Sequence, residues 1–176
     1  IDTARAQPNI QAGVDGVDGL AEVLDLAVGA QMVADVPIGA FLSGGIDSSS
    51  LVASMQRLSS TPIRTFTVGF SEAGYDESQY AAEVAAALGT DHTEIVASPE
   101  DAMRVIPELP TIYDEPFADS SQIPTYLVSK MAREHVTVAL SGDGGDELFG
   151  GYDRYQQINR LERLRNSLPA SSRRLL

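Results

Sequence analysis

Short apolar runs alternating with stretches of helical periodicity constrain this chain more than any other feature. The runs are IGAFL (38–42), IRTFTVGF (63–70), HTEIVA (92–97) and VTVALSG (136–142). Each is strand-length, and two lead straight into glycine-rich turns. Helical spacing fills the intervals. Residues 19–33 carry Leu20, Val23, Leu24, Ala27, Val28 and Met32 on a helical period, and Pro37 bars continuation. Leu51, Val52, Met55 and Leu58 mark one face of the next helix. Residues 75–89 place Tyr80, Val84 and Leu88 four apart, with Gly89 as the stop. SPEDAMRVIPEL (98–109) opens with a serine cap, a proline at the first helical position and an acidic first turn. Residues 121–134 carry Ile123, Leu127 and Met131 four apart, and 153–165 reads as a strongly charged helix. Such alternation predicts an α/β fold: a doubly wound parallel sheet with helices on both faces.

A chain of 176 residues can bury a real core as one domain. Residues 1–18, rich in Gly and Asp, read as a linker, and 19–176 as the domain. No apolar run is long enough to span a bilayer, and no secretory leader is recognisable, so a cytoplasmic setting is expected. The absence of cysteine excludes disulfides, thiolate metal sites and a cysteine nucleophile within the chain. A net charge of −13 argues against a general nucleic-acid binder. The charge is uneven. Residues 1–150 hold 23 acids against 6 bases, and 151–176 hold 2 against 6. The basic end reads as a solvated helix face or a surface for another part of a larger protein.

Ligands of open parallel sheets bind beyond the carboxyl ends of the strands. That rule selects SGGIDSS (43–49), GFSE (69–72) and SGDGGDELFGG (141–151). In the first, Ser43, Gly44 and Gly45 can wrap backbone N–H groups around an anion. The helix that follows adds the positive end of its dipole, and Ser48 and Ser49 add hydroxyls. Asp47 would repel phosphate unless a divalent cation lay between them, so it reads as a magnesium ligand. No lysine follows the glycines, which excludes the Gly-x-x-x-x-Gly-Lys-Ser/Thr loop. The plainer alternative is a strand–turn–helix connection with Asp47 or Ser48 as a cap. In the third stretch, Asp143, Asp146 and Glu147 crowd one turn and call for a cation or a cationic partner. His92 and His135 each stand alone, with no Gly-x-Ser-x-Gly elbow to support a serine hydrolase.

FLSGGIDSS (41–49) resembles the pyrophosphate loop of the N-type ATP pyrophosphatases, which cleave ATP between the α and β phosphates. LSGDGGDELFGGYDRY (140–155) resembles the acidic loop of glutamine-dependent asparagine synthetases. TFTVGF (65–70), YDES (75–78) and LGTDH (88–92) fit the same family in the same order. The resemblance implies a Rossmann-like, adenine nucleotide α-hydrolase-like fold. It also implies a set of site residues. Leu42 and Val68 would flank adenine. Ser43, Gly44, Gly45, Asp47, Ser48 and Ser49 would grip pyrophosphate. Ser141 and Gly142 would lie near the ribose and α-phosphate, and Asp47 and Asp146 would hold magnesium. Asp143 and Asp146 are the implied catalytic carboxylates, although many relatives carry glutamate at the position of Asp143.

The implied reaction consumes ATP, aspartate and ammonia and forms an amide, AMP and pyrophosphate. The implied partner is a glutaminase domain, and the family reading admits a homodimer. Nucleic acid and membrane are not expected partners. The family's synthetase half supplies a catalytic lysine beyond the equivalent of residue 176. Lys130, the single lysine here, reads as a surface residue, so the chain is expected to be a fragment with little activity alone. DEPFADSSQIPTY (114–126) lies where relatives build the acceptor pocket, yet it lacks an arginine to pair with the α-carboxylate of aspartate. A relative acting on another acid, such as a β-lactam precursor, therefore stays open, as does a nucleotide-binding module without turnover.

Overall fold

Four parallel strands form one sheet: β1 (Ile38–Phe41), β2 (Arg64–Phe70), β3 (Asp91–Ala97) and β4 (Val138–Leu140). Their spatial order is β3-β2-β1-β4. The register pairs Ala40 with both Thr65 and Leu140, and β2 pairs with β3 along its whole length. This is the expected parallel sheet, and each strand lies within a residue or two of its sequence-based position. The structure, a computed structural model, describes residues 14–70, 77–116 and 118–167. The chain divides into two compact units, 1–141 and 142–176.

Helices α1 (Val14–Gln31), α2 (Ile46–Leu58) and α3 (Ser78–Leu88) share one core with β1. Val28, Ala40, Leu42, Val52, Met55, Ala81 and Ala85 are buried there. A second core joins Phe66 of β2 to Val128, Met131 and Ala132 of the helix at Gln122–Ala132. Ala40 and Leu42 belong to the first core while Phe41 packs against the second, so the sheet is covered on both sides, as expected. Each of the largest buried side chains, Phe66, Leu42, Met55 and Val52, contributes roughly 1.5–3 kcal/mol by leaving water.

Three local readings need correction. α1 begins at Val14, inside the stretch read as linker. Gly and Asp are loop formers on average, but acids are favoured in a helix's opening turns by its dipole. Residues 1–13 lie outside the described residues. On α3 the buried face is Ser78, Ala81 and Ala85, while Tyr80 is 64% exposed and Val84 and Leu88 only flank the core. Small residues let this helix approach β2 and the Gly44 backbone closely, so size rather than hydrophobicity selected the face. The stretch after Ser98 forms α4 (Pro99–Val105), a 3₁₀ turn (Ile106–Glu108) and a single-turn α5 (Leu109–Ile112) rather than one helix. Pro107 and Pro110 each remove an N–H from the helical ladder. The Ser98 cap is present as a full capping box with Asp101, whose carboxyl is held below the usual range by the Ser98 hydroxyl. α6 (Gln122–Ala132) follows and leads to β4.

Candidate functional site

The strand order reverses direction at β1. The chain steps from β1 to β2 and β3 on one side, then returns to place β4 on the other. A switch of this kind opens a crevice at the carboxyl ends of β1 and β4. Leu42–Gly45 leaves β1 there, and Ser141 leaves β4 beside it.

The loop is held by its own serines. Ser43 N–H donates to Ser48 Oγ (3.2 Å), and the Ser43 and Ser48 hydroxyls lie 3.0 Å apart. The Ser48 hydroxyl donates to the Gly45 carbonyl (3.2 Å), and Gly45 N–H donates to Ser43 Oγ (3.3 Å). Gly44 has φ +82°, and a Cβ there would stand 2.7–2.8 Å from the backbone and Cβ of Tyr80 and the N of Ala81. Glycine is therefore required twice, for the left-handed backbone and for contact with α3. The first α2 bond runs from Ser49 N–H to the Gly45 carbonyl (3.0 Å). Ile46, Asp47 and Ser48 accordingly direct N–H groups out of the helix end without intrahelical acceptors.

The plainer reading of this loop fails on one point. Gly45 is the N-cap, with no side-chain cap. Asp47 sits half-buried in the first turn and does not cap the helix. Ser49 Oγ is buried with no hydrogen-bond partner among the described residues. A buried, unpaired hydroxyl and three outward N–H groups form a cluster of donors suited to an anion.

Leu42 is buried as a whole residue, and its side chain belongs to the core. Its N–H donates to the Phe66 carbonyl (3.0 Å), and its carbonyl accepts from the Thr67 hydroxyl. Alternate residues of a parallel strand direct their backbone groups to the same neighbour. Val68 therefore turns its N–H and carbonyl toward the β1 side, beyond the last β1 residue. Residues 71–76 of the loop after β2 lie outside the described residues.

The second unit holds the acidic turn. Gly145 N–H donates to the Gly142 carbonyl (3.3 Å), and α7 (Gly145–Phe149) follows, capped by Gly144. α8 (Asp153–Ser167) comes next. Asp143 and Glu147 are exposed and Asp146 is half-buried. A Cβ at Gly151 would overlap the Asp146 carboxylate, so that carboxylate lies directly against bare backbone. The Tyr152 hydroxyl donates to Glu147 (2.5 Å), which holds the Glu147 carboxyl below its usual range and pushes Tyr152 up to about 12. The Arg154 guanidinium lies 4.1 Å from the Tyr152 ring centre and 5.6 Å from that of Tyr155. Within this unit Glu147 thus has the cationic neighbour its crowding called for. Sequence reasoning missed Tyr152 and Arg154, although both stand in the motif it quoted. Among the described residues no three acidic or histidine side chains converge on one point.

Other candidates are structural. Lys130 is exposed on α6, 5.8 Å from the Tyr126 ring. Asp119 accepts from Ser121 N–H (2.8 Å) just before α6. His92 Nδ1 bonds Thr65 Oγ1 (2.9 Å), while Nε2 is buried with no partner among the described residues.

The fold is shared with a solved synthetase structure. An NH3-dependent NAD synthetase from Campylobacter jejuni superposes with a TM-score of 0.54 at 14% identity, over 77% of this chain and 60% of that one. The asparagine synthase family model matches residues 19–176. Asparagine synthetase [glutamine-hydrolyzing] 1 of Bacillus subtilis is 48% identical over 131 residues, 74% of this chain and 21% of the relative. Putative asparagine synthetase [glutamine-hydrolyzing] 2 of Methanocaldococcus jannaschii is 46% identical over 140 residues, 79% of this chain and 27% of the relative. The chain belongs to the asparagine synthase family, and it spans about a fifth to a quarter of the length of these curated relatives.

Proposed function

We propose that this chain is the ATP-binding core of an asparagine synthetase. The observation that carries the reading is the loop at Ser43–Ser49, with three outward N–H groups and a buried hydroxyl unpaired among the described residues, at the sheet's switch point. The loop would hold the β and γ phosphates of ATP as a leaving group. Ser43, Gly44, Gly45, Ser48 and Ser49 supply donors there. Leu42 and Val68 would flank adenine, with Val68 presenting its backbone groups, and Ser141 and Gly142 would lie toward the ribose and α-phosphate.

Magnesium fits the chemistry of the donor set. Asp47 and Asp146 offer carboxylate oxygens, Ser48 and Ser49 offer hydroxyls, and the chain contains no thiol. A bound magnesium ion would neutralise charge on the departing pyrophosphate. A substrate carboxylate oxygen, that of the aspartate side chain, attacks the α-phosphorus. The bond to pyrophosphate breaks and an acyl-adenylate forms. Ammonia then attacks the acyl carbon, the C–O bond to AMP breaks, and a proton leaves the nitrogen. The loop contributes alignment and charge stabilisation rather than covalent chemistry. Asp143 and Asp146 stand as the carboxylates nearest this chemistry in the motif. Ammonia comes from a glutaminase domain in a longer protein, and a homodimer and a cytoplasmic setting fit the same reading.

The test is product identity. A protein carrying this chain and its glutaminase domain, given ATP, aspartate and glutamine, should release AMP and pyrophosphate in step with asparagine. ADP and phosphate would refute the reading, and an amide made only from another acid would move it to a relative of different acceptor.

A further inference from the structure

We infer that Thr67 is a positioning residue for the adenine base, and this rests on the nucleotide reading above. A threonine is an odd choice at this place. It is 4% exposed, at a place where valine would fill the same volume. Its hydroxyl is spent on one atom, the Leu42 carbonyl.

That carbonyl sits where the ladder opens. Leu42 N–H still pairs with the Phe66 carbonyl (3.0 Å), so Leu42 is the last residue in register with β2. In a regular parallel pair the Leu42 carbonyl would next accept from Val68 N–H. β1 has already ended at Phe41, and the Thr67 hydroxyl takes the carbonyl instead. A buried carbonyl needs a partner, and Thr67 supplies one without using backbone. Among the described residues Val68 is thereby left with an N–H donor and a carbonyl acceptor side by side on the β1 side of β2. A donor–acceptor pair of that kind matches the edge of a purine that bears an exocyclic amine next to a ring nitrogen. The phosphate loop has separate supports, the Ser43–Ser48 bonds and the Gly44 contact with α3, so Thr67 acts on the base and not on the phosphates.

The experiment compares binding of AMP and of inorganic pyrophosphate to this chain and to Thr67→Val and Thr67→Ser, by calorimetry in magnesium buffer. Thr67→Val should lose about tenfold or more in AMP affinity, the size of one to two kcal/mol of hydrogen bonding, with pyrophosphate binding unchanged. Thr67→Ser should bind both like the parent. Equal loss of both ligands in Thr67→Val, unchanged AMP binding, or a Thr67→Ser variant as weak as Thr67→Val would each overturn the inference. A parent chain that binds pyrophosphate but not AMP would overturn it while sparing the loop, and one that binds neither would overturn the nucleotide reading as well. Should Thr67→Val fail to fold, amide exchange of the parent decides. Val68 N–H should exchange freely without ligand and become protected by AMP, and protection in both states would contradict the proposal.

Discussion

The serine–glycine loop and the acidic turn both follow a strand and both carry a left-handed glycine, yet they are built in opposite ways. The loop at 43–49 is anchored to a core. Ser48 is buried, Gly44 abuts the α3 backbone, and the hydroxyls bond one another. The turn at 142–152 belongs to the second unit and is mostly exposed, with Tyr152 and Arg154 arranged around its carboxylates. A phosphate cradle must keep its N–H groups fixed before the ligand arrives, because preorganisation is what it contributes. Repelling carboxylates are screened by solvent and by local cationic and hydroxyl neighbours.

Substitution at the two glycines breaks this comparison hardest. Gly44→Ala meets both a φ of +82° and a wall of α3 backbone, so it should cost about 3 kcal/mol or more and shift α3. Gly144→Ala has φ +92° and open space around it, and should cost only about 1 kcal/mol. Urea denaturation of the two variants measures the difference, and equal losses would mean that backbone strain alone distinguishes neither site.

Removing hydroxyls should produce the next largest contrast. Ser48→Ala strips the group that ties Ser43 N–H, the Ser43 hydroxyl and the Gly45 carbonyl, at about 1–3 kcal/mol for a buried hub. Tyr152→Phe should leave the denaturation midpoint unchanged, because its bond to Glu147 is solvent-exposed. Its signature is instead an upward move of the Glu147 titration in NMR, since the Tyr152 hydroxyl is the largest cause of the lowered value.

The smallest effect is a pH slope. Burial pushes the His92 imidazole below its ordinary value of 6.5, with Glu94 partly opposing. The unfolded chain therefore binds a proton that the folded chain refuses, and stability falls as pH drops below about 6.5 toward the folded value. His92→Asn should flatten that part of the profile while the carboxylate-dependent part at lower pH persists. An unchanged slope near pH 6 would show that His92 takes its proton without leaving its site.

The sheet and both motif loops were legible in the sequence because apolar runs and glycine turns follow local rules. The buried face of α3 was not, because it reflects the approach of the helix backbone at Tyr80 and Ala81 to Gly44, a contact between segments far apart in sequence. Thr67 was invisible for the same reason. A threonine in a strand looks like ordinary β propensity until its hydroxyl is seen on Leu42. Tyr152 and Arg154 were readable in principle, since an aromatic–basic–aromatic run beside three acids predicts mutual screening.

The account stands or falls on whether the loop at 43–49 holds nucleotide phosphates through a cation at Asp47. Calorimetric titration of this chain with ATP, with and without magnesium, tests it most directly when repeated on Asp47→Asn. The parent should bind only with magnesium, and Asp47→Asn should keep its fold while losing about tenfold or more of the magnesium-dependent affinity. Equal affinity of Asp47→Asn and parent in magnesium buffer would contradict the claim and leave Asp47 a bystander in the first turn of α2.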